Sequence, residues 1–341
     1  MRVGLLTGGG DVPGLNAAIR AVVKRGVGQH GHHIIGFRNG WKGVVDGDIV
    51  PLTRSHIRNV LPIGGTLLGT ARFHPHSAED GMDAVLATVE NEHVDALICI
   101  GGDGTLHAAS KIAEAGVPIV AIPKTIDNDV WGTDASIGFD TAVTIATDAV
   151  DRIHTTAESH NRVMLVEVMG RHAGWIAAAS GIAGGAEIVL APEQPFDIDK
   201  IVRFLKHRHR AHASFSIIVV AEGAMPAEGT SMQYEMQLGQ FGQIVAGGIS
   251  ERLKQEIEQR TGFDTRVTVL GHIQRGGTPT PTDRILASRF GVAAIDAVTR
   301  GETGVMTALR AGEVELVPLA DIAGKVKHVP QALLDVAAAL A

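Results

Sequence analysis

Residues 96–105 read ALICIGGDGT, an apolar run that passes directly into glycines, an aspartate and a threonine. Uninterrupted apolar runs of this length are typical of strands buried on both faces of a parallel sheet. Leu106 then opens an alanine-rich segment with the apolar spacing of a helix. The stretch therefore predicts a strand, a glycine turn and a helix in succession, which is the repeating unit of an α/β fold.

The same pattern recurs along the chain, where short Val- and Ile-rich runs alternate with longer helical segments. The run at 2–10 resembles the run at 162–170, which predicts two similar lobes, each a mostly parallel sheet flanked by helices. Residues 225–242 break the pattern and predict an exposed connection before a helix at 244–260. We predict strands at 3–7, 34–37, 96–100, 119–122, 163–168, 188–190, 216–221 and 267–270.

Composition narrows the function. A chain of 341 residues with 45% hydrophobic residues is long enough for about two domains. The net charge of −7 and the absence of a dense Lys/Arg run argue against nucleic-acid or anionic-membrane binding. The single cysteine, Cys99, cannot form an intramolecular disulfide, which fits a reducing compartment. The first seven residues are too short for a signal sequence, and no apolar run reaches the roughly 18 residues that cross a bilayer. A cytoplasmic location is expected.

Two glycine-rich turns follow predicted strands. Residues 8–14, GGGDVPG, suit a phosphate, although an ordinary tight turn is an open alternative. In the turn at 101–105, the Asp103 carboxylate suits Mg²⁺, and Thr105 suits either a helix cap or a phosphate. Ligands of open α/β sheets bind beyond the carboxyl ends of strands, so these turns are candidate ligand loops.

The loop at 123–129, PKTIDND, places Asp127 and Asp129 two residues apart after another predicted strand. In an extended loop both carboxylates would project to one side, where one of them can accept a proton from an alcohol. The alternative is an Asx-turn with both acids solvated. A neighbouring loop that already carries Asp103 favours the functional interpretation.

Two further loops carry cations after predicted strands, at 169–174 (MGRHAG) and 271–277 (GHIQRGG). Arg171 in the first suits a transferring phosphoryl group, and the second offers groups for a sugar phosphate. The candidates that flank strands are Arg162, Arg171, Arg266, His272 and Arg275.

Taken together, GGDGT at 101–105, PKTIDND at 123–129, MGRHAG at 169–174 and GHIQRGG at 271–277 resemble the phosphofructokinase family, over nearly the whole chain. The resemblance implies transfer of the terminal phosphoryl group of ATP to the 1-hydroxyl of fructose 6-phosphate, with Mg²⁺, in glycolysis. It also implies a donor lobe at 1–138 plus 274–321 and an acceptor lobe at 139–273 plus 322–341, with the active site in the cleft.

The resemblance assigns roles to individual residues. Asp127 would be the base, with Thr125 and Asp129 beside it, Arg171 would steady the phosphoryl group, and Asp103 would serve Mg²⁺. The donor would contact Gly10, Arg72, Gly102, Gly104 and Thr105. The sugar phosphate would contact Asp129, Met169, Gly170, Glu222, His272 and Arg275, together with Arg162 and Arg266 of a neighbouring subunit. Active sites shared in this way imply a homotetramer or homodimer.

Two positions give opposite indications about the donor. Gly104 resembles ATP-using members of the family, since it leaves room for the α-phosphate, whereas Lys124 resembles pyrophosphate users. Some ATP-using relatives, especially those that look like actinobacterial enzymes, also carry lysine at this position, and the chain resembles these members. Steric exclusion is the harder constraint to evade, so we expect ATP, with pyrophosphate as the alternative donor and a non-catalytic binding subunit as a third possibility. Trp41 is open to two interpretations, stacking near a base or burial. Arg20, Lys24, Arg54, Arg58 and Glu187 resemble parts of the family's effector pocket.

Overall fold

The computed structural model describes residues 1–211, 214–236 and 247–340. The chain folds as two compact units. Unit 1 comprises Met1–Thr141 and Arg275–Lys325, and unit 2 comprises Ala142–Gln274 and Val326–Ala341. The assignment of the phosphoryl donor to one lobe and of the sugar phosphate to the other stays a prediction.

Helices and strands alternate along most of the chain. Its first part contains β1 (Arg2–Thr7), α1 (Leu15–Gln29), β2 (His33–Phe37), α2 (Trp41–Asp46), β3 (Ile49–Leu52), α3 (Gly81–Asn91), β4 (Ala96–Gly101), α4 (Asp103–Glu114) and β5 (Ile119–Pro123). There follow α5 (Phe139–His160), β6 (Val163–Val168), α6 (Trp175–Ala183), β7 (Ile188–Leu190), α7 (Ile198–Arg210), β8 (Ser216–Ala221), α8 (Gly248–Thr261) and β9 (Thr265–Val269). The last elements are α9 (Pro281–Arg300), β10 (Val305–Arg310), β11 (Glu313–Pro318) and α10 (Gln331–Ala339).

Unit 1 contains a seven-stranded sheet in the order β11-β10-β5-β4-β1-β2-β3. The inner pairs are parallel, and the outermost pairs, β2 with β3 and β10 with β11, are antiparallel. Helix α9 packs closely on α1, because a Cβ atom at Gly291 would lie only 2.7 Å from Ala18 O. This glycine allows the two helix backbones to approach each other.

Unit 2 contains a four-stranded sheet in the order β7-β8-β6-β9, and every pair in it is parallel. All six residues of β6 and of β8 are buried, as expected for central strands covered on both faces. Helices α7 and α8 contribute apolar side chains to the same core, among them Leu205 and Leu253. The α/β class and the mostly parallel sheets are confirmed.

All eight predicted strands are present, the last of them as Thr265–Val269. Three strands were missed: β3, β10 and β11. β3 and β11 are the antiparallel edge strands of the unit 1 sheet, and β10 lies between β11 and β5. The two edge strands bury only some of their residues and so lack a long apolar run. Among the described residues, no helix combines the length and the apolar character needed to span a bilayer.

The prediction of an exposed connection at 225–242 is wrong for part of that segment. Met232 is buried in the unit 2 core, and Phe196 pairs with Pro226 in a short bridge. Burial of the apolar Met232 side chain is favourable relative to leaving it in water, so this part of the segment packs on the core. Residues 237–242 of this prediction, and residues 244–246 of the predicted helix, lie outside the described residues.

Candidate active site

Three strand ends lie side by side in unit 1. Thr7 of β1 pairs with Ile100 of β4, and Gly101 at the end of β4 pairs with Pro123 of β5. The backbone continues this alignment beyond the strands, because Lys124 N donates to Gly101 O at 2.9 Å. The predicted loops at 8–14, 101–105 and 123–129 therefore meet at one edge of the sheet, as the strand-end rule predicts.

The turn after β1 is held by its carbonyl groups. Gly9 O accepts a hydrogen bond from Thr70 Oγ1 at 2.5 Å, and Gly10 O accepts one from Lys124 Nζ at 2.5 Å. Within the described part of the chain, the amides of Gly9 and Gly10 donate no hydrogen bond. A turn with bound carbonyls and open amides is suited to an anion such as phosphate.

Lys124 is buried, with an exposed fraction of 2%, and no other lysine or arginine among the described residues is buried. Burial, with repulsion from the Arg275 guanidinium, lowers the pKa of Lys124 to about 7. Asp11, Asp127 and Asp129 act in the opposite direction, since their carboxylates attract the ammonium charge.

The second turn opens α4 without a side-chain cap. Its N-cap is Gly102, and Asp103 is the exposed first residue of the helix. Thr105 is buried and packs on the first turn, because a Cβ atom added at Gly8 would lie 2.5 Å from Thr105 Oγ1. Thr105 does not cap the helix, which removes one of its two predicted alternatives. Thr105 N donates to Gly102 O at 3.0 Å, so the open amides of this turn, among the described residues, are those of Gly102, Asp103 and Gly104. Such amides attract anions.

Gly104 lies against His74. A Cβ atom at position 104 would be 2.6 Å from His74 Cε1, closer than non-bonded carbon atoms approach. His74 belongs to a row of imidazoles, since His74 and His76 are 5.6 Å apart between ring centres and His76 and His107 are 5.2 Å apart. A larger residue at 104 would therefore have to displace the His74 side chain.

The loop after β5 turns sharply at Asn128. This residue has φ 52°, in the left-handed region, so the loop is not extended and that part of the geometric prediction is wrong. Asn128 Oδ1 accepts a hydrogen bond from Ser136 N at 3.1 Å, which fixes the turn. Thr125 Oγ1 accepts one from Asp127 N at 3.1 Å.

Asp127 has the electrostatics of a candidate base. The residue is half-buried, and its Oδ1 atom is fully buried without a hydrogen-bond partner in the described structure. Burial, and after it repulsion from the nearby Asp129 carboxylate, raises the pKa of Asp127 to about 6, against the attraction of Arg275 and Lys124. The two acids of the loop are therefore close enough to interact, although by a turn and not by alternation along an extended chain.

In unit 2, the loops after β6, β8 and β9 share one edge of the second sheet. Glu222 N donates to Val168 O at 2.9 Å, and Leu270 N donates to Glu167 O at 3.0 Å. Met169 N reaches Gln274 Oε1 at 3.4 Å, beside the short helix that carries the exposed His272. This edge carries four residues of the predicted sugar-phosphate set: Met169, Gly170, Glu222 and His272.

Arg171 follows a glycine that requires its unusual backbone. Gly170 has φ 132°, and a Cβ atom there would lie 2.7 Å from Ala173 O. Gly223 N donates to Gly170 O at 3.1 Å, which holds the turn to the end of β8. The half-buried Arg171 is thus carried on a constrained turn at the same edge.

Arg162 and Arg266 lie at the opposite edge of this sheet. Arg162 precedes the first residue of β6, whereas Met169 follows the last, a separation of roughly 20 Å along the strand. Asp264 bridges the two arginines, accepting from Arg162 Nε at 2.6 Å and pairing with Arg266 Nη1 at 2.5 Å. These arginines and the Met169 edge of one chain therefore cannot bind the same phosphate group.

Arg275 belongs to unit 1, although the resemblance placed it with the sugar-phosphate residues. Its Nη1 atom donates to Asp11 O at 3.4 Å, and a Cβ atom at Gly10 would lie 2.5 Å from it. The guanidinium therefore lies against the first glycine turn. Arg72 is exposed in the same unit, two residues after the Thr70 that holds that turn.

The structure decides between the two interpretations of Trp41. Trp41 is 1% exposed and donates to Thr105 O at 3.4 Å, so it is a core residue and does not stack on a base.

Arg20, Lys24 and Arg54 line one cavity of about 490 Å³ in unit 1. Glu187, in unit 2, already pairs with Arg208 at 2.6 Å.

Thr70 and His74 were not identified from the sequence. Thr70 holds Gly9, and His74 packs on Gly104, yet both lie in a segment without strand periodicity or a chemical motif. The glycines at 64, 65 and 69 show that this segment turns, but they give no indication of its neighbours.

The site fits a magnesium ion that arrives with a polyphosphate. No group of three or more His, Cys, Asp or Glu side chains among the described residues is arranged to hold a metal. Mg²⁺ needs fewer protein ligands, since it commonly binds through one or two carboxylates, with water and substrate phosphates completing its shell. The exposed Asp103, beside the open amides of α4, provides such a carboxylate.

Comparisons with known proteins give one consistent family. A family model described as phosphofructokinase matches residues 2–298. The ATP-dependent 6-phosphofructokinase of Mycobacterium tuberculosis (strain ATCC 25618 / H37Rv) is 53% identical over 340 residues, which cover 99% of each chain. The pyrophosphate–fructose 6-phosphate 1-phosphotransferase of Streptomyces coelicolor is 52% identical over 336 residues, 98% of each chain.

The solved structures agree with this result. Phosphofructokinase of Pichia pastoris in the T-state superposes with a TM-score of 0.84 at 33% sequence identity. The match covers 94% of this chain and 35% of the Pichia chain. The chain thus spans about a third of the length of that structural relative.

Proposed function

The chain belongs to the phosphofructokinase family, and we propose that it transfers the terminal phosphoryl group of ATP to the 1-hydroxyl of fructose 6-phosphate. The products are fructose 1,6-bisphosphate and ADP, and the reaction is a step of glycolysis in the cytoplasm. The observation that carries the proposal is the half-buried Asp127, with an unpartnered carboxylate oxygen, among strand ends that carry open phosphate-binding turns.

Asp127 is proposed to accept the proton of the sugar hydroxyl. As the hydroxyl oxygen forms its bond to the terminal phosphorus, the bond from that phosphorus to the bridging oxygen of ATP breaks, and ADP leaves. A carboxylate with a pKa of about 6 is a stronger base than an ordinary aspartate and is still ionised at pH 7. Thr125 fixes the loop through Asp127 N, and Asp129 is proposed to orient the substrate.

The donor phosphates are proposed to bind the open amides of two turns. Gly10 presents the first turn, and Gly102 and Gly104 present the second at the start of α4. Thr105 is proposed to contact the donor as well, although its own amide donates to Gly102 O at 3.0 Å. Arg72, which is exposed and lies two residues after Thr70, is proposed to supply a cation for the donor. Because these amide groups are fixed by the fold, they need little rearrangement when negative charge develops in the transition state.

Asp103 is the residue proposed to hold Mg²⁺ with the donor. When bound, the ion would neutralise phosphate charge that this single carboxylate and the backbone amides cannot balance.

The sugar phosphate is proposed to bind the unit 2 residues at the ends of β6, β8 and β9: Met169, Gly170, Glu222 and His272. Arg171 supplies a cation for the phosphoryl group in flight. Arg275 keeps its proposed role toward the sugar phosphate, and its guanidinium lies against Gly10.

The position of Arg162 and Arg266 supports a homotetramer or homodimer with shared sites. Both arginines are held by one carboxylate at the amino ends of β6 and β9, roughly 20 Å from Met169. An arginine pair that cannot serve its own chain's sugar-phosphate residues is suited to the 6-phosphate bound by a neighbouring subunit.

ATP is proposed over pyrophosphate because Gly104 has no side chain that would obstruct the α-phosphate and nucleoside of ATP. Overall identity does not separate the donors, since relatives named for each donor are 53% and 52% identical. The test is a rate measurement with purified protein, Mg²⁺ and fructose 6-phosphate, using ATP or pyrophosphate as the sole donor, and Asp127→Asn as the inactive control.

Turnover with ATP alone supports the proposal. Turnover with pyrophosphate alone assigns the chain to the pyrophosphate-dependent enzymes, and turnover with neither donor leaves the non-catalytic binding subunit. The Asp127→Asn variant should lose about 100- to 10,000-fold in turnover while still binding fructose 6-phosphate.

A further inference from the structure

We propose that Lys124 is a positioning residue of the donor site, which holds Gly10 O and thereby fixes the Gly10–Asp11 peptide plane next to the open amide of Gly10. In this assignment Lys124 does not itself bind the donor phosphates. The inference rests on the proposed function, because it concerns how a phosphoryl donor is held.

Burial is the first argument. Lys124 is 2% exposed, so its ammonium group offers almost no surface to a ligand that arrives from solvent. Moving an ammonium group into such a site is unfavourable unless the protein supplies hydrogen-bond acceptors. Gly10 O is that acceptor, at 2.5 Å from Nζ.

The charges around the ammonium group are the second argument. Asp11, Asp127 and Asp129 attract it, and Arg275 repels it. Burial and Arg275 outweigh this attraction and lower the pKa of Lys124 to about 7, so the group carries less positive charge at neutral pH than an ordinary lysine and attracts a free pyrophosphate less strongly.

The turn itself is the third argument. Gly9 O is held by Thr70 and Gly10 O by Lys124, so two successive carbonyls are bound by side chains from different parts of the sequence. Fixing a carbonyl on one side of a peptide plane fixes the direction of the next amide on the other side. The Thr70 contact therefore orients the N–H of Gly10, and the Lys124 contact orients the N–H of Asp11, before the donor arrives. Among the described residues, neither amide donates a hydrogen bond.

This assignment reconciles the two positions that disagree about the donor. Gly104 controls the space available to a nucleotide, and Lys124 supports the backbone that binds its phosphates. A lysine at 124 is then compatible with ATP, since the residue acts on the turn and not on the donor.

The decisive variant is Lys124→Met, which keeps a long unbranched side chain and removes the hydrogen-bond donor. We expect the KM for ATP to rise about 10- to 100-fold, the range set by one hydrogen bond to a charged group. The KM for fructose 6-phosphate should stay within about twofold of wild type. Titration calorimetry of Mg-ATP without sugar phosphate should show the same loss of affinity.

Two further variants complete the experiment. Thr70→Val removes the neighbouring contact to Gly9 O and should also raise the KM for ATP, without touching Lys124. Lys111→Met is the matched control, because Lys111 is 48% exposed on α4 and pairs only with Glu114 there. It should leave both KM values unchanged.

The outcomes separate this inference from the function it rests on. If Lys124→Met binds ATP within twofold of wild type, or removes turnover with pyrophosphate and spares turnover with ATP, the positioning role is wrong. If circular dichroism shows that Lys124→Met does not fold, Thr70→Val decides, and unchanged ATP affinity overturns the proposal. If wild type binds ATP but does not phosphorylate fructose 6-phosphate, the proposed function fails while the calorimetric comparison still tests Lys124.

Discussion

Replacing Asp127 with asparagine should make the protein nearly inactive and, at alkaline pH, more stable. Asparagine keeps the shape of the side chain and removes the charge, so it cannot accept the proton of the sugar hydroxyl. The ionised carboxylate of wild type is disfavoured by burial and by Asp129, which together raise the pKa of Asp127 from 3.8 to about 6. The folded protein therefore binds this proton more tightly than the unfolded chain does.

The sign of this stability difference follows from the linkage between proton binding and folding. A carboxyl group with a raised pKa destabilises the folded state once pH exceeds its unfolded value, and the effect is complete above its folded value. A rise from 3.8 to about 6 corresponds to at most about 3 kcal/mol. Solvent screens a half-buried group, so we expect Asp127→Asn to be about 2 kcal/mol more stable than wild type at pH 8. The gain should be small near pH 4.

The assay is urea unfolding of both proteins at pH 4.5 and pH 8, followed by circular dichroism at one protein concentration. Asp46→Asn is the control, since Asp46 is 47% exposed on α2 and its removal should change the free energy of unfolding by less than about 0.5 kcal/mol at either pH. A variant no more stable than wild type at pH 8, or one with the same gain at both pH values, would refute the desolvation argument.

Three other outcomes are expected. The kcat/KM of wild type for fructose 6-phosphate should fall about tenfold per pH unit below about pH 6, because protonation of Asp127 removes the base. Initial rates between pH 5 and 8 with saturating ATP measure this dependence, and a flat pH profile would contradict it. Gly104→Asp should lower kcat/KM for ATP at least 100-fold and should lower the melting temperature. Adding His74→Ala should recover the stability but not the turnover. Recovery of both would mean that only the clash with His74 matters. Arg162→Ser should raise the KM for fructose 6-phosphate about 10- to 100-fold and leave the KM for ATP unchanged, in a titration of each substrate; an unchanged KM for the sugar phosphate would remove Arg162 from its site.

The sequence alone determined the α/β class, the strands that form both sheet centres, and the loops that follow them. A buried parallel strand needs a continuous apolar run, as at 96–100, and its helix needs a turn in between, so both signals are local. Because parallel strands align their carboxyl ends, the same local signals brought the loops of Asp103 and Asp127 to one edge without any coordinates. The edge strands β3 and β11 escaped prediction because strands with a solvated side lack that run, and in β10 the apolar run is interrupted by Thr307.

Only the tertiary structure decided which side chains support those loops. Thr70 and Lys124 are far from Gly9 and Gly10 in sequence, and their contacts exist only because the intervening segments pack there. The same holds for His74, which limits the space at Gly104. A side chain's burial, and therefore its pKa, depends on neighbours that no local pattern specifies. For this reason the raised pKa of a candidate base and the interior position of a lysine were visible only in the folded chain.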